Sequence, residues 1–183
     1  MKMTNRWNKF IYRLWAPVYD WILEGFFHPG RKRVMECLDL KTDERVLLVG
    51  VGIGQDLEFL PGGVRAVGID LSREMLARCR SRLPLPDREV TLLQGDAQEL
   101  HVEEAAFDAV VFNLILSVIP DPVACLKENL RALKPAGRAV VFEKFIPFWR
   151  KTHSRTPVSK RFQCSFRDRH HPKIRRDQCR QRV

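Results

Sequence analysis

The residues best suited to chemistry in this chain are three alternating glycines, Gly50, Gly52 and Gly54, which follow the apolar run 46–49. A buried strand that turns sharply on glycine lets backbone N–H groups and the next helix N-terminus come close to a ligand, because no β-carbon blocks the approach. The pattern therefore predicts a pocket for a nucleoside-containing ligand.

Two carboxylates later in the chain fit the same pocket. Asp70 ends a second short apolar run, where the ribose hydroxyls of such a ligand would lie, and an ionised carboxylate accepts from two vicinal hydroxyls at once. Asp96 follows Gly95 at the end of a third run. Each also fits a purely structural role, because Asp70 can cap the next helix and Asp96 can serve as a turn residue.

The spacing of the glycines separates two classes of nucleoside site. Dinucleotide sites use G-x-G-x-x-G, and the position of the third glycine is Gln55 here. The compact G-x-G-x-G spacing resembles motif I of the class I S-adenosylmethionine-dependent methyltransferases. Four further segments resemble that family in the same order, namely 70–76, 95–97, 107–111 and 133–138. The alternative, a nicotinamide-dependent oxidoreductase, is disfavoured by Gln55.

The resemblance spans residues 5 to 146 and implies an α/β fold with a Rossmann-like sheet. It implies S-adenosylmethionine as cofactor, with Asp70 at the ribose, Asp96 at the adenine amino group, and Asn113 facing the methyl-transfer zone. Enzymes of the family act mainly by positioning the acceptor. In this sequence we assign no catalytic base and no metal site. The cofactor-binding residues implied by the resemblance are Gly50, Gly52, Gly54, Asp70, Leu71, Met75, Asp96, Ala97, Asn113 and Tyr19.

Finer features resemble one subgroup of that family. Segments 16–20, 26–31 and 114–122 look like bacterial phospholipid N-methyltransferases and their quinone-methylating relatives. That likeness implies a lipid or another small molecule as the methyl acceptor. One position departs from the family: the acidic residue two positions before the first glycine, which helps to hold the methionine end of the cofactor, is Leu48.

Alternating apolar runs and helical patterns predict a parallel sheet covered on both faces. Strands are expected at about 45–50, 65–70, 89–94, 107–113 and 138–143. Helices are expected from Asp56, over 73–83 with Ser72 as N-cap, and over 122–133. The domain prediction is N-terminal lid helices over 1–40, a cofactor-binding core over 41–146 and a basic, disordered tail over 147–183.

The amino-terminal segment has apolar residues at helical spacing opposite Arg6, Lys9 and Arg13, and Pro17 divides it into two short helices. Such a segment fits a lid on the cofactor pocket, and it also fits a helix lying on anionic lipid. Neither a membrane span nor a signal peptide is visible, which favours a cytoplasmic protein with peripheral membrane contact. The five cysteines are scattered without zinc or disulfide spacing and are expected as free thiols.

The net charge of +10 resides in the tail, where 147–183 holds 12 basic and 2 acidic residues while 1–146 is balanced at 20 of each. Three interpretations compete. A nucleic-acid-binding arm lacks any recognition motif, and a patch for anionic lipid suits the subgroup. The pattern favours a third, a reading-frame slip near Pro147, because the family continues there with a helix and two strands.

A slip at this point would leave the sheet without its last two strands and would expose the fifth strand as an edge. The functional hypotheses are then a methyltransferase acting on a lipid amine or another small molecule, and a truncated, impaired relative that at most binds cofactor.

Overall fold

The computed structural model describes residues 27–144 and 162–167 of the 183-residue chain. The described helices are α1 over 27–38, a 3-10 turn Leu57–Phe59, α2 Arg73–Arg80 and α3 Pro122–Arg131. The described strands are β1 Arg45–Val49, β2 Arg65–Asp70, β3 Glu89–Gln94, β4 Phe107–Asn113, β5 Leu133–Lys144 and β6 Phe162–Arg167.

The strands form one sheet in the order β3-β2-β1-β4-β5-β6. Strands β1 to β5 are parallel, and β1 lies in the middle with Val49 opposite Ile69 of β2 and Phe112 of β4. The strand order reverses beside β1, so a crevice is expected at the carboxyl ends of β1 and β4. The predicted Rossmann-like α/β class is thus confirmed, and the glycine loop after β1 lies at this crevice.

A double-sided core explains why β1 is apolar at every position after Arg45. Val46 and Leu48 pack on one face of the sheet with helix α1, while Leu47 and Val49 pack on the other face with α3. Side chains alternate across a strand, so a strand covered on both faces reads as a continuous apolar run. Burial on both faces fixes the position of the strand that leads into the loop.

Two of the expected helices form close to their predicted bounds. Ser72 caps α2, where its hydroxyl accepts from the Met75 N–H at 3.2 Å. The carboxylate of Asp121 caps α3 by accepting from Val123 N and Ala124 N. The helix expected from Asp56 is reduced to the single 3-10 turn, because Leu60 is extended and Pro61 follows.

The carboxyl-terminal side of the sheet differs from the expectation. Strand β6 pairs antiparallel with β5, with Phe166 opposite Val140 and Cys164 opposite Phe142. The prediction that β5 forms an exposed edge was therefore wrong. The sequence carries a weak signal for β6, since Phe162, Cys164 and Phe166 alternate with polar residues.

The amino-terminal predictions for residues 1–26 and most of the tail lie outside the described residues. Within 27–144 and 162–167, no helix combines the length and the apolar character needed to cross a membrane. Cys79 and Cys125 are free thiols, as predicted for these two.

Candidate cofactor site

The loop after β1 turns on three glycines with left-handed backbones, at φ +70° for Gly50, +55° for Gly52 and +82° for Gly54. A β-carbon on Gly50 would lie 2.6 Å from the side chain of Ile115, and one on Gly54 would lie 2.7 Å from the Cys79 sulfur. A β-carbon on Gly52 would meet no atom within 4 Å. The outer two glycines are therefore required by packing, whereas the middle one faces open space that a ligand can fill.

Asp70 holds this loop directly. Its Oδ2 accepts from the backbone N–H of Gly52 at 2.8 Å, and its Oδ1 accepts from Ser72 N at 2.8 Å. Burial raises the pKa of the Asp70 carboxyl above its usual range, even though these backbone donors favour the ionised form. Each oxygen keeps a further lone pair, so the carboxylate can hold the loop and accept from ligand hydroxyls together.

Asp96 lies one strand further from the loop, in the turn after β3. Its Oδ1 accepts from both the backbone N–H and the side-chain amide of Gln98, at 3.0 and 2.9 Å. The next residue, Ala97, is buried, and its carbonyl accepts from the buried Asn129 side chain at 2.8 Å. Gly95 N–H donates to the Asp70 carbonyl at 3.1 Å, which connects the two carboxylate-bearing turns.

Leu71 and Met75, the predicted apolar walls, are both half-buried at the start of α2. They follow Asp70 directly, so the strand end, the capping Ser72 and the first helical turn form one continuous surface beside the loop. Tyr19, the remaining predicted contact, lies outside the described residues. Leu48 is buried among apolar side chains and offers no polar contact to a ligand.

Asn113 belongs to a buried polar network that the sequence did not reveal. Its Nδ2 donates to Asp56 Oδ1 at 2.9 Å, and Arg31 Nη1 from α1 donates to both oxygens of Asp56 at 2.8 and 2.9 Å. Asp56 is 3% exposed and Asn113 is 5% exposed. Two atoms of the network, Arg31 Nε and Asn113 Oδ1, are buried without a hydrogen-bond partner in the described part of the chain.

A second buried carboxylate lies at the end of β5. Glu143 is 2% exposed, and its two oxygens accept from the backbone N–H and the hydroxyl of Ser117 at 3.0 and 2.9 Å. This pair ties the loop after β4 to the neighbouring strand. Sequence reasoning missed four residues, Arg31, Asp56, Ser117 and Glu143. A charged residue directly after the apolar run 139–142 was a usable signal for Glu143.

Asp108 lies near the amino-terminal end of β4, whereas the glycine loop follows the carboxyl end of the neighbouring β1. It accepts from Arg45 N at 2.9 Å and from Lys134 Nζ at 2.8 and 3.0 Å, so it joins three strand starts. Because it lies at the opposite end of the strands from the glycine loop and pairs with Lys134, we assign it a structural role.

Comparison with known proteins connects this geometry to a family. Residues 47–141 match the family model described as a methyltransferase domain. The chain is 35% identical over 136 residues to a phosphatidylethanolamine N-methyltransferase of Cereibacter sphaeroides, covering 73% of this chain and 66% of that protein. It is 31% identical over 147 residues to a demethylmenaquinone methyltransferase of Paenarthrobacter aurescens, covering 76% and 56%.

A solved structure shows the same relationship. The phosphoethanolamine N-methyltransferase 2 of Haemonchus contortus, in complex with phosphomonomethylethanolamine and S-adenosylhomocysteine, superposes with a TM-score of 0.56 at 27% identity. The match covers 66% of this chain and 30% of that one. The chain thus spans about two thirds or less of the length of these three relatives.

The matched segment 47–141 begins within β1, includes the glycine loop, Asp70, Asp96 and Asn113, and ends within β5. It makes up more than half of the chain. The sequence match and the sheet with its glycine loop together show that this chain belongs to the methyltransferase-domain family, with the class I fold.

Proposed function

We propose that this chain is an S-adenosylmethionine-dependent methyltransferase whose cofactor lies across the glycine loop. The observation that carries the proposal is the open space over Gly52, whose N–H is held by a carboxylate at the end of the neighbouring strand. A nucleoside whose ribose hydroxyls reach Asp70 would pass over Gly52 without a steric obstacle. The related Haemonchus contortus enzyme, which was solved in complex with S-adenosylhomocysteine, supports this cofactor.

The residues named above would act mainly by positioning. The bound cofactor supplies an electrophilic methyl group on a sulfonium, so the protein must hold that group in line with the acceptor atom. Asp70 would fix the ribose, and Asp96 with Ala97 would receive the adenine. Leu71 and Met75 would cover the apolar surface of the nucleoside. Alignment of this kind lowers the activation barrier, because the entropy cost of bringing the two reactants together is met on binding.

The acceptor we propose is an amine on a small molecule or a phospholipid headgroup. The relative with 35% identity is named a phosphatidylethanolamine N-methyltransferase, which favours an ethanolamine lipid. A quinone is the second candidate, favoured by the demethylmenaquinone methyltransferase at 31% identity. For either membrane-borne acceptor, peripheral contact through the amphipathic segment 1–26 and the basic tail is part of this proposal.

Calorimetry on the full chain tests the cofactor. We expect saturable uptake of S-adenosylhomocysteine and none of a nicotinamide dinucleotide, since the third glycine of a dinucleotide loop is Gln55. Uptake of the dinucleotide alone, or of neither compound by folded protein, would overturn the proposal.

Transfer of a labelled methyl group tests the acceptor. Vesicles of phosphatidylethanolamine in phosphatidylglycerol, the same vesicles with demethylmenaquinone in place of the amine lipid, and free phosphoethanolamine are compared. We expect label in the amine-containing lipid. Label in the quinone alone would replace the first acceptor by the second, and a chain that binds cofactor but labels nothing would support the impaired-relative hypothesis instead.

A further inference from the structure

The carboxylate of Asp96 is oriented by its neighbour Gln98. The Gln98 backbone N–H donates to Asp96 Oδ1 at 3.0 Å, and Gln98 Nε2 donates to the same oxygen at 2.9 Å. The backbone bond belongs to the local turn that an Asp side chain makes two residues on, whereas the side-chain bond depends on where the amide is held. Both residues are half-buried, so part of each faces solvent at this strand end. An ionised carboxylate has about four acceptor sites, so two bonds to one oxygen orient it without exhausting it.

The far end of the Gln98 side chain is held by helix α3. Its Oε1 accepts from the backbone N–H of Asp121 at 2.9 Å, and Asp121 is the N-cap residue of that helix. A primary amide has a donor end and an acceptor end. With an N–H on one side and the Asp96 carboxylate on the other, only one of the two orientations of the amide satisfies both neighbours. Gln98 is therefore a donor of fixed direction toward Asp96.

Helix α3 holds the same turn at a second point. Asn129, which is 0% exposed, donates from Nδ2 to the Ala97 carbonyl at 2.8 Å and to the Cys125 carbonyl at 2.7 Å. Ala97 and Cys125 are buried in one apolar cluster with residues of β1 and β4. The turn 96–98 is thus tied to a packed helix at its N-cap and again about two helical turns further along. Groups supported in this way are pre-organised, because little side-chain freedom remains to be lost when a ligand binds.

A fixed carboxylate in this turn distinguishes purines by the group that they carry at C6. Adenine carries an amino group, which donates, whereas hypoxanthine carries an oxo group, which accepts and is repelled by a carboxylate. A site built to hydrogen-bond a ligand N–H rejects the analogue that lacks it. The rejection depends on orientation, since a carboxylate that is free to turn can meet water instead and repels the oxo group less.

We propose that Gln98 is a positioning residue for purine recognition. It connects helix α3 to the Asp96 carboxylate and thereby sets the preference for adenine over hypoxanthine. This inference rests on the proposed function, in which Asp96 receives the adenine, and adds to it a residue that acts through Asp96. The proposal requires no contact between Gln98 and the ligand.

Two ligands that differ only in the purine test the assignment. S-adenosylhomocysteine carries the 6-amino group, and S-inosylhomocysteine carries a 6-oxo group with a proton on N1. For wild-type protein we expect calorimetry to show at least about tenfold tighter binding of the adenosyl compound. Gln98→Met keeps the length of the side chain but removes both amide hydrogen bonds. We expect it to reduce the preference about threefold to tenfold, the scale of one net hydrogen bond.

The ratio of the two affinities separates positioning from a structural role, because a general loosening of the turn weakens both ligands by the same factor. Glu99→Gln is the matched control, since Glu99 is the next residue in the chain and is exposed, and it should leave the preference unchanged. Gln98→Ala is a second test variant. Thermal unfolding shows which variants are folded, and either folded Gln98 variant decides the question.

A preference within about twofold of wild type in a folded Gln98 variant would overturn the positioning role while leaving the proposed function intact. Equal losses of affinity for both ligands would do the same. Wild-type protein that binds the two compounds equally well would overturn the role of Asp96 together with that of Gln98. Folded wild-type protein that takes up neither compound would overturn the proposed function itself.

Discussion

Substitution of Gly52 by alanine separates the ligand-binding role of the loop from its structural role. The new methyl group would meet no protein atom within 4 Å, so the folded protein bears only the strain of a left-handed alanine at φ +55°. That strain costs about 1–2 kcal/mol, which corresponds to about 2–8 °C in Tm for a chain of this size. The same methyl group would project into the space assigned to the cofactor.

We therefore expect Gly52→Ala to fold with this modest loss of Tm and to bind S-adenosylhomocysteine at least about tenfold more weakly, a loss of about 1.4 kcal/mol or more. Differential scanning fluorimetry measures the first quantity and isothermal titration calorimetry the second. Gly62→Ala is the matched control, because its β-carbon would have one ordinary contact, 3.7 Å from Asp87, and its backbone is not left-handed.

Gly54→Ala should behave in the opposite way. Its β-carbon would lie 2.7 Å from the Cys79 sulfur and 2.9 Å from Leu57 Cδ1, so overpacking of about 1–3 kcal/mol adds to the backbone strain. Its main effect is a loss of stability. The reasoning is refuted if Gly52→Ala binds the ligand as tightly as wild type, because the space over Gly52 would then not be occupied by it.

Other predictions concern charge and thiol chemistry. Burial tends to raise the pKa of Asp108, but Lys134, the Arg45 N–H and the charge of Arg138 together outweigh burial and hold that pKa below 3.8. The stabilisation from the ionised carboxylate is present above pH 3.8 and is lost as the pH falls through the folded-state pKa. Asp108→Asn should therefore destabilise the protein at neutral pH, with a difference in urea-unfolding free energy that shrinks in acid. Burial raises the pKa of Asp70 above 3.8, so its stabilising contribution is present at low pH and is lost as the pH rises through the folded-state pKa. The stability advantage of wild type over Asp70→Asn should accordingly decline from acid toward neutral pH in urea titrations, and a constant difference would contradict the assignment. Burial raises the thiol pKa of Cys79 to about 11 and of Cys125 to about 12, so iodoacetamide at pH 8 should alkylate both only after unfolding, as checked by peptide mass mapping.

The parallel part of the sheet could be predicted from sequence because its strands are covered on both faces. A strand such as β4 reads as a near-continuous apolar run, and its observed bounds Phe107–Asn113 coincide with the expected 107–113. Strand β5 was expected only from 138, whereas it begins at Leu133 through an irregular pairing beside Phe107. Such irregularities depend on the partner strand and leave little trace in the local pattern.

Strand β6 was missed for a different reason. Its six residues lie in a segment whose dominant feature is positive charge, and composition outweighed the short alternation of Phe162, Cys164 and Phe166. The neighbour that makes β6 a strand is β5, which is already paired on its other side with β4. An edge strand of this kind is specified by the pairing groups it meets as much as by its own sequence.

By itself, the sequence determined the loop and the carboxylate that holds it. Glycine tolerates a positive φ that other residues resist, so the spacing of Gly50, Gly52 and Gly54 fixes the backbone locally, and Asp70 follows at a strand end that the apolar pattern already marks.

Only the tertiary structure decided the polar network that includes Asn113. Arg31 and Asp56 are 25 residues apart and Asp56 and Asn113 are 57 apart, yet their side chains meet at 2.8 to 2.9 Å. No local rule relates residues at such separations, because helix and strand periods act over a few positions. Their contact exists because helix α1 packs on the same face of the sheet as Ala109 and Val111 of β4. Asn113 follows these two residues at the next alternate position of the strand.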